Sequence, residues 1–186
     1  MTRVPWRTWC GEALLGLALV ASGSAAPAAA PSPKLPEPVA KTFQATFPGA
    51  VIEKLDVEKE NAVTVYDFEF RDGALEKETD IAADGTMLEL TVVVEPHAVP
   101  AAAMSAVRKA AKGATIRRIE HIEIGYETKA GKVVKLATPM TNYAVELAKG
   151  KRRAEIVVTP EGRVIEPARW GGEAHEKTES KTGESS

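Results

Sequence analysis

The chain has 186 residues, 44% apolar and 27% charged, with a formal net charge of −2. That is the composition of a folded, water-soluble chain of one ordinary domain or two small ones. The charge excludes a nucleic-acid footprint, which needs a basic excess or stripe, and the lone Cys10 excludes an intramolecular disulfide.

Residues 1–30 read as a Sec-type signal peptide. Arg3 and Arg7 precede an apolar run from Ala13 to Ala21, and the small residues S-G-S-A-A-P-A-A-A follow. The run is too short to span a bilayer comfortably. Cys10 stands before the apolar run, not after it, which argues against a lipid anchor. The expected location is therefore periplasmic or secreted, with no membrane attachment once the signal is removed. Residues 31–38, P-S-P-K-L-P-E-P, form a Pro-rich tether that supports neither helix nor central strand.

Beyond the tether, Val39, Phe43 and Phe47 recur at i, i+4 and i+8, the stripe of a short helix stopped by Pro48-Gly49. Four strands follow. Asp72-Gly73 as a two-residue loop sets Phe70 opposite Leu75, Phe68 opposite Lys77 and Tyr66 opposite Thr79. Asp84-Gly85 as a second loop sets Ile81 opposite Leu88, Thr79 opposite Leu90 and Lys77 opposite Val92. A looser turn near Glu60-Asn61 brings Leu55 opposite Tyr66 and Val57 opposite Thr64. All of these assignments send the same apolar set to one face, and a one-residue slip would reverse every side chain. Lys77 falls on the inner face, tolerable if its stem packs and its amine escapes at an edge.

This pattern then repeats. Tyr66, Glu69, Gly73, Glu78 and Gly85 recur as Tyr143, Glu146, Gly150, Glu155 and Gly162 at a constant shift of 77 residues. The helix stripe recurs as Ala103, Val107 and Ala111 at a shift of 64. The apolar pairs Ile52 with Leu55 and Ile116 with Ile119 are spaced by three, which breaks strand alternation and places Ile52 and Ile116 in the helix-to-strand turn. The change of shift inserts 13 residues around Gly125 to Met140, with Lys129-Ala130-Gly131-Lys132 as a hairpin tip. The insertion is read either as neutral length variation or as a contact loop.

The expected fold is thus α+β, two tandem modules, each one helix packed on a four-stranded antiparallel meander sheet. The first module spans 39–95, the linker 96–100 and the second module 101–167, with the inserted loop at 125–140. Residues 168–186 are polar and Gly/Ser-rich and read as a disordered tail, Trp170 packing back on the second sheet.

The derived registers gather Asp56, Glu58, Asp67, Glu69, Glu76, Glu78, Asp80 and Glu89 on the outer face of the first sheet, against only Lys54 and Arg71. They set Glu69 opposite Glu76, Asp67 opposite Glu78 and Asp80 opposite Glu89, an arrangement that costs stability. In the second copy Glu146 faces Arg153, so acidity is not demanded by the fold. The plain reading is a solvated surface; the sharper one is a face that docks a basic protein partner or collects divalent cations weakly.

No catalytic constellation emerges. His97, His121 and His175 fall in a linker, a strand and the tail, and only Glu123 joins His121 on one strand face, short of the three or four ligands of a zinc site. Ser24, Ser32, Ser105 and Ser180 lack the G-x-S-x-G context, and the glycines mark turns, not a phosphate loop. The expectation is a non-enzyme without cofactor. The alternative is a cation-binding periplasmic sensor or a metal-dependent enzyme built on His121 and Glu123.

The helix ending F-P-G-A, the Y-x-F-E-F strand and the I-x-x-D-G turn resemble the PepSY-like family of exported bacterial domains. The pairing of two such modules also resembles the beta-lactamase inhibitory protein fold. The resemblance covers 39–95 closely and 100–167 more loosely, since Ala-Lys-Gly replaces Phe-Pro-Gly after the second helix. It implies an exported, non-catalytic binding module, with inhibition or regulation of a secreted hydrolase among its roles and no catalytic residue to carry over.

Overall fold

The computed structural model describes residues 35–171. The signal segment, most of the tether and most of the tail lie outside the described residues.

Helix α1 (Glu37–Thr46) is followed by strands β1 (Val51–Glu60), β2 (Val63–Asp72), β3 (Leu75–Ala82) and β4 (Met87–Val93). A 3₁₀ turn at Pro96–Ala98 leads into α2 (Ala101–Ala111), then β5 (Thr115–Lys129), β6 (Lys132–Lys149), β7 (Arg152–Val158) and the short β8 (Val164–Glu166). The architecture is α+β, but two separate four-stranded sheets are not what forms. Residues Glu89 to Val93 of β4 pair antiparallel with Ile124 to Glu120 of β5, and the strands run β1 to β8 in order through one eight-stranded sheet. Joining the two edges satisfies a row of backbone N–H and C=O groups that separate sheets would leave bare.

Both helices lie against the same, inner face, over separate cores. Under α1, Val39, Phe43 and Phe47 meet Phe68, Phe70 and Ile81. Phe43 stacks on Phe68 at 4.5 Å between ring centroids, and Phe47 sits 4.5 Å from Phe70. The α2 core replaces these rings with smaller groups, Ala103, Met104, Val107 and Ala111 against Ile119, Val145, Leu147 and Ile156. Lys77 shows how an inner-face charge is accommodated. Its amine lies over the Phe47 ring, with Nζ 5.6 Å from the centroid, and reaches Asp72 at 2.6 Å. Trp170 packs on the α2 core with the Arg152 guanidinium over its ring.

Several expected registers move by two residues. Phe70 faces Lys77, Phe68 faces Thr79, Leu55 faces Phe68 and Val57 faces Tyr66. The cause is turn chemistry. Gly73 has φ +64 and occupies the first loop position of a Gly73-Ala74 turn, the place where a II′ hairpin wants glycine. The β1–β2 turn is not loose but a tight Asn61-Ala62 pair with φ of 46 and 69. A two-residue shift preserves the face of every side chain, so the inner and outer sets survive. The β3–β4 register holds at Lys77 with Val92 and Thr79 with Leu90, but a bulge beyond Asp80 sets Ile81 opposite Met87 and turns Leu88 to the outer face. Ile52 and Ile116 lie inside their strands, not in the helix-to-strand turn. In both halves a bulge follows, at Glu53 and at Arg117, and its extra residue produces the spacing of three.

One feature of the repeat has a steric cause. Gly85 and Gly162 have φ +88 and +82, and a Cβ on either would press on the first turn of the nearby helix, 2.9 Å from the Pro38 carbonyl oxygen and 2.5 Å from that of Ala102. Gly73 also has positive φ but open space around it. Gly85→Ala and Gly162→Ala should each cost at least about 2 kcal/mol, against about 1 kcal/mol for Gly73→Ala. Urea unfolding of the three variants checks the order, and equal losses would contradict the helix contact.

Candidate functional site

The face opposite the helices carries the acidic residues, because β-strand alternation sends every second side chain there. Registers place Asp56, Asp67, Asp80 and Glu89 in one row across four consecutive strands. Lys54, Glu69, Glu78 and Thr91 form the next row. Glu69 therefore faces Glu78, not Glu76, and Asp67 faces Asp80, not Glu78, while Asp80 faces Glu89 as the sequence implies. Like charges still oppose one another, merely in different pairs.

In the second half the expected mixture of signs is kept, but with Arg118 of β5, not Arg153 of β7, directly opposite Glu146. On its β7 side Glu146 faces Glu155, because the turn shifts to Gly150-Lys151 just as the first shifts to Gly73-Ala74. Arg153 reaches Glu146 only diagonally, at 3.4 Å. The outer face is thus acidic in the first half and mixed in the second, where Glu120, Glu146 and Glu155 share it with Arg118 and with apolar Ile122 and Val157.

Exposure along the first row is uneven. Asp56 keeps 41% of its side chain in water, whereas Asp67 is only 2% exposed. Part of the cover over this end of the face comes from the β5–β6 insertion. Tyr126 faces Lys135 and Ile124 faces Met140, so Leu136, Ala137, Thr138 and Pro139 bulge out opposite Gly125. Beyond that bulge, Tyr126 and Val133 pack on outer-face Val65, Ala82 and Leu88. The tip then reaches the β1–β2 turn. The Asn61 amide donates to the Thr128 carbonyl and hydroxyl, each at 2.9 Å, and the Gly131 N–H donates to the Asn61 carbonyl at 2.7 Å. The inserted hairpin is thus an arm fastened to the chain's own first turn.

Sequence reasoning placed Arg118 on the outer face of the second half but did not find its bridge to Glu76. From β5 it donates to Glu76 at 2.6 Å and to Glu120 at 2.7 Å, while Arg71 grips Glu76 from the other side at 2.8 Å. These two cations, Arg118 first, hold the Glu76 carboxyl below the usual glutamate range. Glu89 moves the other way, pushed up to about 7 by desolvation and then by Glu78, with Glu60 and Glu120 adding. The Thr91 hydroxyl, donating at 3.2 Å, opposes the shift. Glu155 is likewise pushed up to about 7, by partial desolvation and by Glu120, Glu166 and Glu146. Glu155 remains exposed, so water screens it and Glu89 carries the larger share of any pH dependence.

On the inner face His121 lies 5.2 Å from the Tyr143 ring and 3.9 Å from Glu123. Among the described residues, no group of three or more His, Cys, Asp or Glu side chains is arranged to hold a metal ion.

The fold has solved counterparts, all below one-fifth sequence identity. A DUF2874 family protein from Bacteroides uniformis superposes with a TM-score of 0.54 at 16% identity over 74% of this chain and 90% of that one. A BLIP-like protein from Bacteroides fragilis gives 0.51 at 14% over 76% and 92%. A protein of Bacteroides eggerthii, provisionally named periplasmic, gives 0.53 at 15% over 74% and 88%. No family model matches the sequence, and no curated protein does. The likeness establishes a BLIP-like fold. No helix of the described residues is long and apolar enough to cross a membrane.

Because a glutamate raised from 4.5 to about 7 binds its proton more readily folded than unfolded, its penalty is absent below about pH 4.5, grows between the two values and is complete above 7. Stability should therefore fall as pH rises from 5 to 8. Glu89→Gln should stabilise the protein at pH 8, by on the order of 1–3 kcal/mol, and flatten that slope. Thermal melts across this range decide it, and an unchanged slope in the variant would remove Glu89 from the account.

Proposed function

We propose that the protein is a non-catalytic, exported binding module of PepSY-like type whose outer sheet face docks a basic surface on a protein partner. The observation that carries this reading is sidedness. Both helices cover the inner face, and the outer face is left with rows of like-charged carboxylates on neighbouring strands. Such opposition costs stability, so its concentration on the first four strands favours a use for the charge beyond solubility. A positive partner surface would relieve the repulsion on docking and would be steered toward the face at low salt. A secreted or periplasmic hydrolase is the partner class this reading favours, the protein acting as its inhibitor or regulator.

The carboxylates to test are the half-buried Glu58, Glu69 and Glu78, of which Glu69 also accepts from Lys54 at 2.9 Å. Glu76 is committed to Arg71 and Arg118, and Asp67 is buried. Replacing Glu58, Glu69 and Glu78 together by Gln should leave the fold intact. A partner captured from periplasmic extract and titrated against both forms should bind the variant roughly tenfold more weakly, with a shallower salt dependence. Equal affinity for both forms, indifferent to salt, would show that the acidic face does not dock the partner.

A further inference from the structure

The two edges of the sheet differ in how they end. At one, β8 is three residues long, and a bridge from Gly171 to Arg153 extends the cover of β7. At the other, β1 runs ten residues and among the described residues pairs with β2 alone, leaving Val51 64%, Ile52 42% and Val57 45% exposed. A long edge with exposed apolar groups is a template for another strand.

Charges commonly blunt such an edge, but here their order is self-complementary. An antiparallel pair of identical strands has a twofold axis through one residue, which then faces itself. Centring on Lys54 sets Lys54 against Lys54; centring on Asp56 sets Asp56 against Asp56; centring on Val57 sets Asp56 against Glu58; centring on Glu58 sets Glu58 against itself. Only Leu55 escapes. With Leu55 on the axis, each Lys54 stands opposite Asp56 of the second copy on the outer face. On the inner face Leu55 meets Leu55 of the second copy. The bulge at Glu53 puts Ile52 and Leu55 in consecutive inner positions, opposite Phe70 and Phe68. Ile52 therefore falls across from Val57 of the second copy, and two of the most exposed apolar groups cover each other. Lys54 and Asp56 already pair along their own strand at 2.8 Å, so the dimer would close an alternating square of two lysines and two aspartates.

We infer that the protein self-associates through antiparallel β1–β1 pairing centred on Leu55, giving a twofold dimer with one sixteen-stranded sheet. The inference stands independently of the partner proposed for the acidic face. The dimer places two outer faces side by side in one surface.

Sedimentation velocity of the purified protein over a concentration series tests it. The wild type should sediment as a reversible dimer. Lys54→Asp and Asp56→Lys should each weaken dimerisation by roughly tenfold, because each sets like charges across the axis twice. Mixing the two variants in equal amounts should restore the dimer, since every position then faces its opposite charge. Circular dichroism confirms that each variant is folded. A wild type that stays monomeric throughout its soluble range, a dimer insensitive to both substitutions, or a mixture no more associated than its components would each overturn the inference.

Discussion

Residues Glu89 to Val93 of β4 hydrogen-bond along Ile124 to Glu120 of β5, and this ladder decides on which side of the molecule everything else happens. Side chains alternate along a strand, so a ladder in this register brings the helix-covered faces of the first four and last four strands to one side. A slip of one residue in β5 would put α2 and α1 on opposite faces and mix apolar with acidic surface. The two cores remain distinct, one aromatic and one built from small side chains, yet they share a backbone network.

The same ladder makes the outer face electrostatically continuous. Arg118 belongs to β5 but its guanidinium ties down Glu76 of β3, spanning the junction. Glu120 and Glu60 add to the repulsion felt by Glu89 from opposite flanks. The arm contributes by a different route. It folds over Val65, Ala82 and Leu88 and fastens to Asn61, which removes water from one end of the face. Desolvation near crowded carboxylates is what raises a glutamate, and Glu89 has both.

Much of this was legible in the sequence, and what was missed was missed for specific reasons. The helix stripe of Val39, Phe43 and Phe47 and the alternation in β2 fixed sidedness, because periods of 3.6 and 2 are written in the residues themselves. Registers erred by two where Gly73 and Gly150 took the first loop position, since a D-G or K-G pair does not say which of its residues opens the loop. The spacing of three in Ile52 to Leu55 and Ile116 to Ile119 was a bulge signal, present twice and read as a turn. The outer acidic set was placed on the right face, and in the second half a turn set one residue early put Arg153 instead of Glu155 opposite Glu146. The β4–β5 ladder, the Arg118 bridge and the Asn61 clasp join residues far apart in the chain. No local period announces them, because they arise from edges seeking partners after the local elements have formed.

The account rests on the sheet being one continuous, cooperative body, and native-state hydrogen exchange tests that most directly. The amides of β4 and β5 that bond across the junction, at Leu90, Val92, His121 and Glu123, report on it. If the junction is as described, the protected amides among them should open only with the whole molecule, at the same free energy as the centres of β2 and β6. Exchange at the junction well below that free energy, with the α1 half and the α2 half unfolding in separate steps, would contradict a single sheet.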